Sequence, residues 1–313
     1  MDLRNLRVVA LGHSSAGKSS YLAAMYTRLA VGRKGFRLVT EPVLGGELLA
    51  TGRGLRKGVY PPPSSRRTEL GFSLLHGPAI VLGFHWTDYR GGALTSSAAN
   101  DPETAELLRQ LTGADAVVVF VDAHRLATDP ESHDEIRRSV VLLHRAVGRQ
   151  DTPLPIVLAY TKSDLVPDRA AWGRARAAAA PLEELIGSGG RIRGTTVALS
   201  CGPSPKGVAV PVLWCLATLF GHQVREMEEE LAATKAAIKD LRQDAHAVDS
   251  LVSWFKGVES ATKRLERMEG VARTEEAELA PLRRPARRLA RLLASEQRRT
   301  APPAGAATPV AAR

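Results

Sequence analysis

Two cysteines, Cys201 and Cys215, are all that the 313 residues contain, so a disulfide framework is not in use. No apolar run is long enough to span a bilayer. The longest such stretch, Val208 to Phe220, is short and carries Pro211 and Trp214. The N-terminal Met1-Asp2-Leu3-Arg4 has no signal-type hydrophobic region, and the expected location is cytoplasmic. What is present is a globular balance of 44% hydrophobic and 24% charged residues, enough for one well-cored domain and a sizeable appendage. The net charge of +10 gathers partly in Arg283, Arg284, Arg287, Arg288, Arg291, Arg298 and Arg299. A basic balance of this kind favours acidic partners, whether nucleic acid, anionic lipid or protein, or else reflects an Ala- and Arg-rich composition alone.

From residue 6 to 222, compact β-branched runs alternate with helix-length stretches. Strands are expected at Leu6–Leu11, Gly35–Thr40, Thr68–Leu75, Ala79–Trp86, Ala116–Val121, Leu154–Tyr160 and Thr195–Leu199. Helices are expected at Lys18–Ala30, Val43–Leu55, Thr104–Leu111, Glu131–Val147 and Arg169–Ile186. His76-Gly77-Pro78 reads as the turn of one hairpin. Near-continuous apolar strands separated by helices imply an α/β three-layer sandwich with a mostly parallel sheet and one antiparallel neighbour. Gly32 to Arg67, with its Tyr60-Pro61-Pro62-Pro63 run, is longer than this architecture needs and is expected to carry structure of its own.

After His222 the pattern changes. Val224, Met227, Leu231, Thr234, Ile238, Leu241, Ala245, Val248, Val252 and Phe255 alternate spacings of three and four, a heptad seam. The register slips near Gly257 and resumes at Val258, Ala261, Leu265 and Met268. A helical hairpin, closed on itself or on the globular part, and a dimeric coiled coil both fit. The division expected is therefore 1–222 for the α/β domain, 223–299 for a helical extension with a basic end, and 300–313 for an Ala/Pro-rich disordered tail. Leu282, Ala286, Leu289 and Leu293 would form one face of the basic helix, with Pro285 fitting only near a helix start. Its arginines are expected in water, with an anionic membrane or an acidic partner as the other readings and nucleic acid less favoured.

Gly12-His13-Ser14-Ser15-Ala16-Gly17-Lys18-Ser19 fits G-x-x-x-x-G-K-[ST] between an expected strand and an expected helix. Glycines let the chain fold so that backbone N–H groups and the helix N-terminus face phosphate oxygens. Lys18 supplies a point charge for the β- and γ-phosphates, and the Ser19 hydroxyl is a hard ligand for Mg²⁺. The phosphate-binding set is Gly12, Ser14, Ser15, Ala16, Gly17, Lys18, Ser19 and Ser20.

Thr161-Lys162-Ser163-Asp164 follows the strand Leu154–Tyr160, and here the sequence resembles the translation-factor class of P-loop GTPases with a Ras-like G domain. That resemblance covers residues 6 to about 222. It implies GTP and GDP with Mg²⁺, with Asp164 accepting from the N1 and N2 hydrogens of guanine, Lys162 covering the base, and Thr161 tying this loop to the phosphate loop. Ser200-Cys201-Gly202 resembles the family loop whose backbone meets the guanine O6. Asp88-Tyr89-Arg90-Gly91 resembles D-x-x-G, so that Asp88 would hold Mg²⁺ through water and Gly91 would sense the γ-phosphate. The first-switch threonine is placed at Thr68, which would also ligate Mg²⁺, with Ser64 and Ser65 as alternatives. Lys18, Thr68 and Gly91 would thus surround the transferring phosphate. The insertion before Thr68 resembles that of the bacterial double-GTPase-type subgroup.

The chain departs from the family where a water-orienting glutamine commonly follows D-x-x-G, because Gly92 stands there. Nor is Ser15 the asparagine of potassium-dependent relatives. The resemblance therefore implies a GTP switch that hydrolyses slowly, helped by a protein regulator, by self-association as a homodimer, or by Arg66, Arg67 or Arg90 as an arginine finger. A scaffold that binds nucleotide without turning it over is the alternative.

Overall fold

The computed structural model describes residues 2–62, 68–88, 102–148, 152–247 and 261–300. In chain order, β1 (Leu6–Leu11) leads to α1 (Lys18–Ala30), β2 (Phe36–Thr40), α2 (Pro42–Arg56) and the hairpin of β3 (Thr68–His76) and β4 (Ala79–Asp88). There follow α3 (Pro102–Thr112), β5 (Ala116–Asp122), α4 (Ala123–Thr128), α5 (Ser132–Val147), β6 (Leu154–Thr161), α6 (Arg169–Gly187) and β7 (Ile192–Ala198). Two long helices, α7 (Val210–Ala247) and α8 (Ala261–Thr300), complete the described chain.

The strands form one sheet in the order β2-β3-β4-β1-β5-β6-β7. β2–β3 and β3–β4 are antiparallel, and every other pairing is parallel. This is the expected α/β sandwich, with the added strand-helix unit of the insertion at one edge. β6 is buried at all eight positions and β5 at all but its last, as parallel strands covered on both faces must be. Leucines, valines and alanines of β5, β6, α3, α5 and α6 make one core face. On the other face Tyr21, Trp86 and Phe120 pack together, with ring centroids 4.9 Å apart for the tilted pair Tyr21–Phe120 and 5.6 Å for the stacked pair Tyr21–Trp86.

Because β1 lies between β4 and β5, the chain leaves it toward one edge and later returns toward the other. The crevice beyond the carboxyl ends of these strands is where such sheets bind ligands. Gly12 turns the chain out of β1 there. A Cβ at this position would come within 2.6 Å of the Phe120 carbonyl oxygen, which excludes every larger residue.

Four expectations are corrected. α4 is six residues long, too short for a helical period to show in the sequence. The apolar run Val208 to Phe220 is the buried beginning of α7, which starts at Val210 with Pro211 in its first turn, not after residue 222. Pro281 and Pro285 both lie inside α8, so Pro285 is not near a helix start. Their rings cost two hydrogen bonds that a helix of 40 residues, fixed along its apolar stripe, tolerates.

Fourth, contacts divide the chain into one unit of residues up to 219 together with 289 onward, and another of 220–288. The last turns of α8 thus belong with the α/β unit. There Leu289 and Leu292 are buried, and Glu296, 5% exposed, takes hydrogen bonds from the Arg28 guanidinium at 3.0–3.3 Å. In the second unit, α7 and α8 run antiparallel and exchange ion pairs within the chain. These are Glu228–Arg283 at 3.1 Å, Lys235–Glu276 at 2.9 Å and Arg242–Glu269. No helix among the described residues is long and apolar enough to cross a membrane. The expected tail, 301–313, lies outside the described residues.

Candidate functional site

The phosphate loop wraps the N-terminus of α1. Gly17, at φ 88°, is the N-cap residue, and no side chain caps the helix or places an acid in its first turn. The first-turn N–H groups and the positive end of the helix dipole are left facing the crevice, as an anion site requires. Ser15 also adopts a left-handed conformation, at φ 64°. Lys18 is 7% exposed. Its Nζ donates to the carbonyls of Gly12 at 2.7 Å and His13 at 3.1 Å, and stands 3.8 Å from Asp88 Oδ1.

Asp88 is brought to this place by register: it ends β4 opposite Ala10 of β1, one strand from the phosphate loop. Among the described residues its buried Oδ1 has no hydrogen-bond partner, and burial raises the carboxyl to a pKa of about 6 against the pull of Lys18. Burial also lowers the Lys18 ammonium, which Asp88 partly offsets. A buried cation and a carboxylate with a free oxygen fit a Mg²⁺–phosphate group, whose charges and waters would satisfy both. Ser19 and Ser20 line the same cleft, half-exposed. Thr68 pairs with Asp88 across the hairpin and is exposed. Cross-strand partners share a face, so Thr68 lies on the side of the sheet that Asp88 uses. Gly91, the alternatives to Thr68 (Ser64 and Ser65), and Arg66, Arg67, Arg90 and Gly92 lie outside the described residues.

The second wall of the cleft comes from β6 and β7. Thr161, 1% exposed, donates its hydroxyl to the Ala16 carbonyl at 2.8 Å and lies 3.1 Å from that of Val121. One hydroxyl thereby joins this loop to the phosphate loop, as expected of an anchor. Lys162 takes a left-handed conformation, φ 52°, and starts a 3-10 turn, Ser163–Leu165. Asp164 on that turn is exposed to the cleft and forms no hydrogen bond with the described residues. The Ser163 N–H donates to the Leu199 carbonyl at 3.2 Å, which sets the Ser200–Gly202 loop beside it. Ser200 is buried and pairs with Lys206, while Cys201 lines the cleft as a thiol that burial pushes up to about 12.

The cleft so built holds about 450 Å³ and brings together Lys18, Ser19, Asp88, Thr161, Lys162 and Asp164 from three separate segments. Two participants had no motif to announce them. Tyr60, at the head of the proline run, crosses to Gly202, where a Cβ would approach its hydroxyl oxygen to 2.7 Å and Asp164 Oδ2 to 3.8 Å. Asp122, at the end of β5, receives the Lys162 ammonium at 2.5 Å. A smaller cavity of about 320 Å³ lies behind the phosphate loop, with His13 in its wall. His13 is 7% exposed, its Nδ1 is 3.4 Å from Glu135 Oε1, and burial lowers it to about 4.

No family model matches the chain, and no curated protein does. Among solved structures it is similar to the signal recognition particle receptor SRb-GTP/SRX complex from Chaetomium thermophilum, with 14% identity, 67% of this chain and 95% of that one covered, and a TM-score of 0.41. It is also similar to the Arl6 BBS3 small GTPase from Trypanosoma brucei with bound nucleotide analogue, at 16% identity, 69% and 97% coverage and a TM-score of 0.39. A third is the small COPII coat GTPase SAR1 from Encephalitozoon cuniculi in complex with GDP, at 13% identity, 71% and 83% coverage and a TM-score of 0.38. Likenesses this distant add nothing to what the cleft itself supplies.

Proposed function

We propose that this chain is a Mg²⁺-dependent GTP-binding switch that hydrolyses GTP slowly. One observation carries the reading. A carboxylate with no partner among the described residues, Asp164, opens onto the same cleft as the uncapped helix end and Lys18, on a loop tied to the phosphate loop by Thr161. A carboxylate so placed rewards a purine edge that offers two donors, as the N1 and N2 hydrogens of guanine do. Adenine offers no such pair. Lys18 and the helix N-terminus would hold the phosphates. Ser19 and Asp88 would hold Mg²⁺, which when bound shields the phosphate charge during transfer. Thr68, and Gly91 beyond the described residues, would respond to the γ-phosphate, and a protein effector or a second copy would read that response.

Slow turnover is supported by Gly92, which has no side chain to orient water where the resembled family has one. The same residue supports the second reading, a scaffold that binds nucleotide and does not turn it over. Calorimetry on nucleotide-free protein with Mg²⁺ tests the first claim: GTP and GDP bind, ATP does not, and Asp164→Asn moves the preference to xanthine nucleotides. Equal binding of ATP and GTP overturns it. Single-turnover hydrolysis then separates switch from scaffold.

A further inference from the structure

Lys162 lines both the nucleotide cleft and the cavity behind the phosphate loop. Its side chain therefore forms part of the cleft wall while its ammonium leaves the cleft for Asp122 Oδ2, 2.5 Å away. The carboxylate is 14% exposed and the lysine 36%, so the pair is half-sheltered from solvent. The other oxygen of Asp122 is committed as well. Oδ1 accepts the Arg125 N–H at 3.0 Å and caps the N-terminus of α4. The register Asp122↔Thr161 puts the carboxylate one residue from the lysine it holds. A long, flexible ammonium side chain has many rotamers, and one fixed end selects those that lay the methylenes along the cleft.

We infer that Asp122 is a positioning residue for the nucleotide base. It holds the Lys162 head out of the cleft so that the stem forms a flat apolar wall beside Asp164, and it fixes that geometry to the capped end of α4. The inference rests on the guanine-nucleotide reading of the cleft. It also assigns a division of labour. Asp164 chooses the base, while Asp122 acts through Lys162 on how long any correctly chosen nucleotide stays.

Asp122→Asn isolates the role, because its amide oxygen keeps the cap on α4 and only the charge that holds Lys162 is lost. Dissociation of a fluorescent GDP analogue, followed by stopped flow, should be about five- to tenfold faster in Asp122→Asn, as loss of a half-sheltered ion pair implies. The preference for GDP over ADP should not change. Lys162→Met keeps the methylene stem and removes the head. Adding Asp122→Asn to it should leave dissociation where Lys162→Met alone set it, since there is no ammonium left to hold. A wild-type rate in Asp122→Asn overturns the inference. So does a further acceleration in the double variant, which would mean that Asp122 acts through the fold and not through the lysine. Failure of the wild-type protein to bind GDP at all is a different result and overturns the reading of the cleft itself.

Discussion

Lowering the pH from 7 to 5 should weaken Mg²⁺ binding to the nucleotide-loaded protein about tenfold through Asp88 alone. The carboxyl is buried beside Lys18, with Oδ1 unpartnered among the described residues, and titrates near 6 where an exposed aspartate titrates near 3.8. At pH 7 about nine-tenths of it is ionised and at pH 5 about one-tenth, whereas an unperturbed aspartate would stay ionised throughout. Only the carboxylate attracts the cation, so affinity falls as pH falls, and metal binding at pH 5 to 6 releases a proton. For the empty protein the sign reverses. A folded-state pKa raised from 3.8 to about 6 gives stability that is full below 3.8 and lost as pH rises through 6, about 3 kcal/mol in all. Calorimetric titration of Mg²⁺ into GDP-loaded protein at pH 5, 6 and 7 measures the first effect. Asp88→Asn supplies the reference that removes protonation of the nucleotide's own phosphates. Equal pH slopes in the wild type and in Asp88→Asn would refute the argument.

Thr161→Val keeps the shape of the side chain and removes the hydroxyl joining the base loop to Ala16, leaving that carbonyl buried without its donor. A loss of about 1–3 kcal/mol in urea unfolding is expected, with faster nucleotide release, and Thr161→Ser should restore much of both. Glu296→Ala strips the carboxylate from Arg28 and should cost about 1–3 kcal/mol of stability, since the side chain of the acid is 7% exposed and that of the arginine 29%. Unfolding at the wild-type denaturant midpoint would show that the Arg28–Glu296 pair contributes nothing to stability.

The parts of this molecule legible in its sequence are those whose cause is local. The bounds of β1 and α1 can be read from the sequence because the phosphate loop lies between them and punctuates both. Thr161 could be named an anchor because its motif is contiguous. Asp122 could not, since an aspartate ending a strand is ordinary until the β5–β6 register sets it beside Thr161. Tyr60 was likewise silent, because its partner Gly202 is a sheet away in sequence and meets it only in the folded chain. The heptads alone place a boundary near residue 222. Burial of Val212, Leu213 and Leu216 instead makes α7 begin in the core of the α/β unit. Heptad spacing shows where a seam exists but not which helix covers it, and so it gave no sign that Leu289 and Glu296 return to α1's unit.

In the ladder that joins α7 to α8, Glu228, Lys235 and Arg242 meet Arg283, Glu276 and Glu269, and the rungs stand one heptad apart on both arms. The hairpin is accordingly a ruler graduated in sevens. Excising one matched heptad from both arms would shorten it and leave every remaining rung paired. Excising one from α7 alone would slide Glu228 opposite Glu276 and turn attraction into repulsion. Changes in its reach are therefore confined to matched pairs of insertions or deletions, a rule any set of length variants must obey.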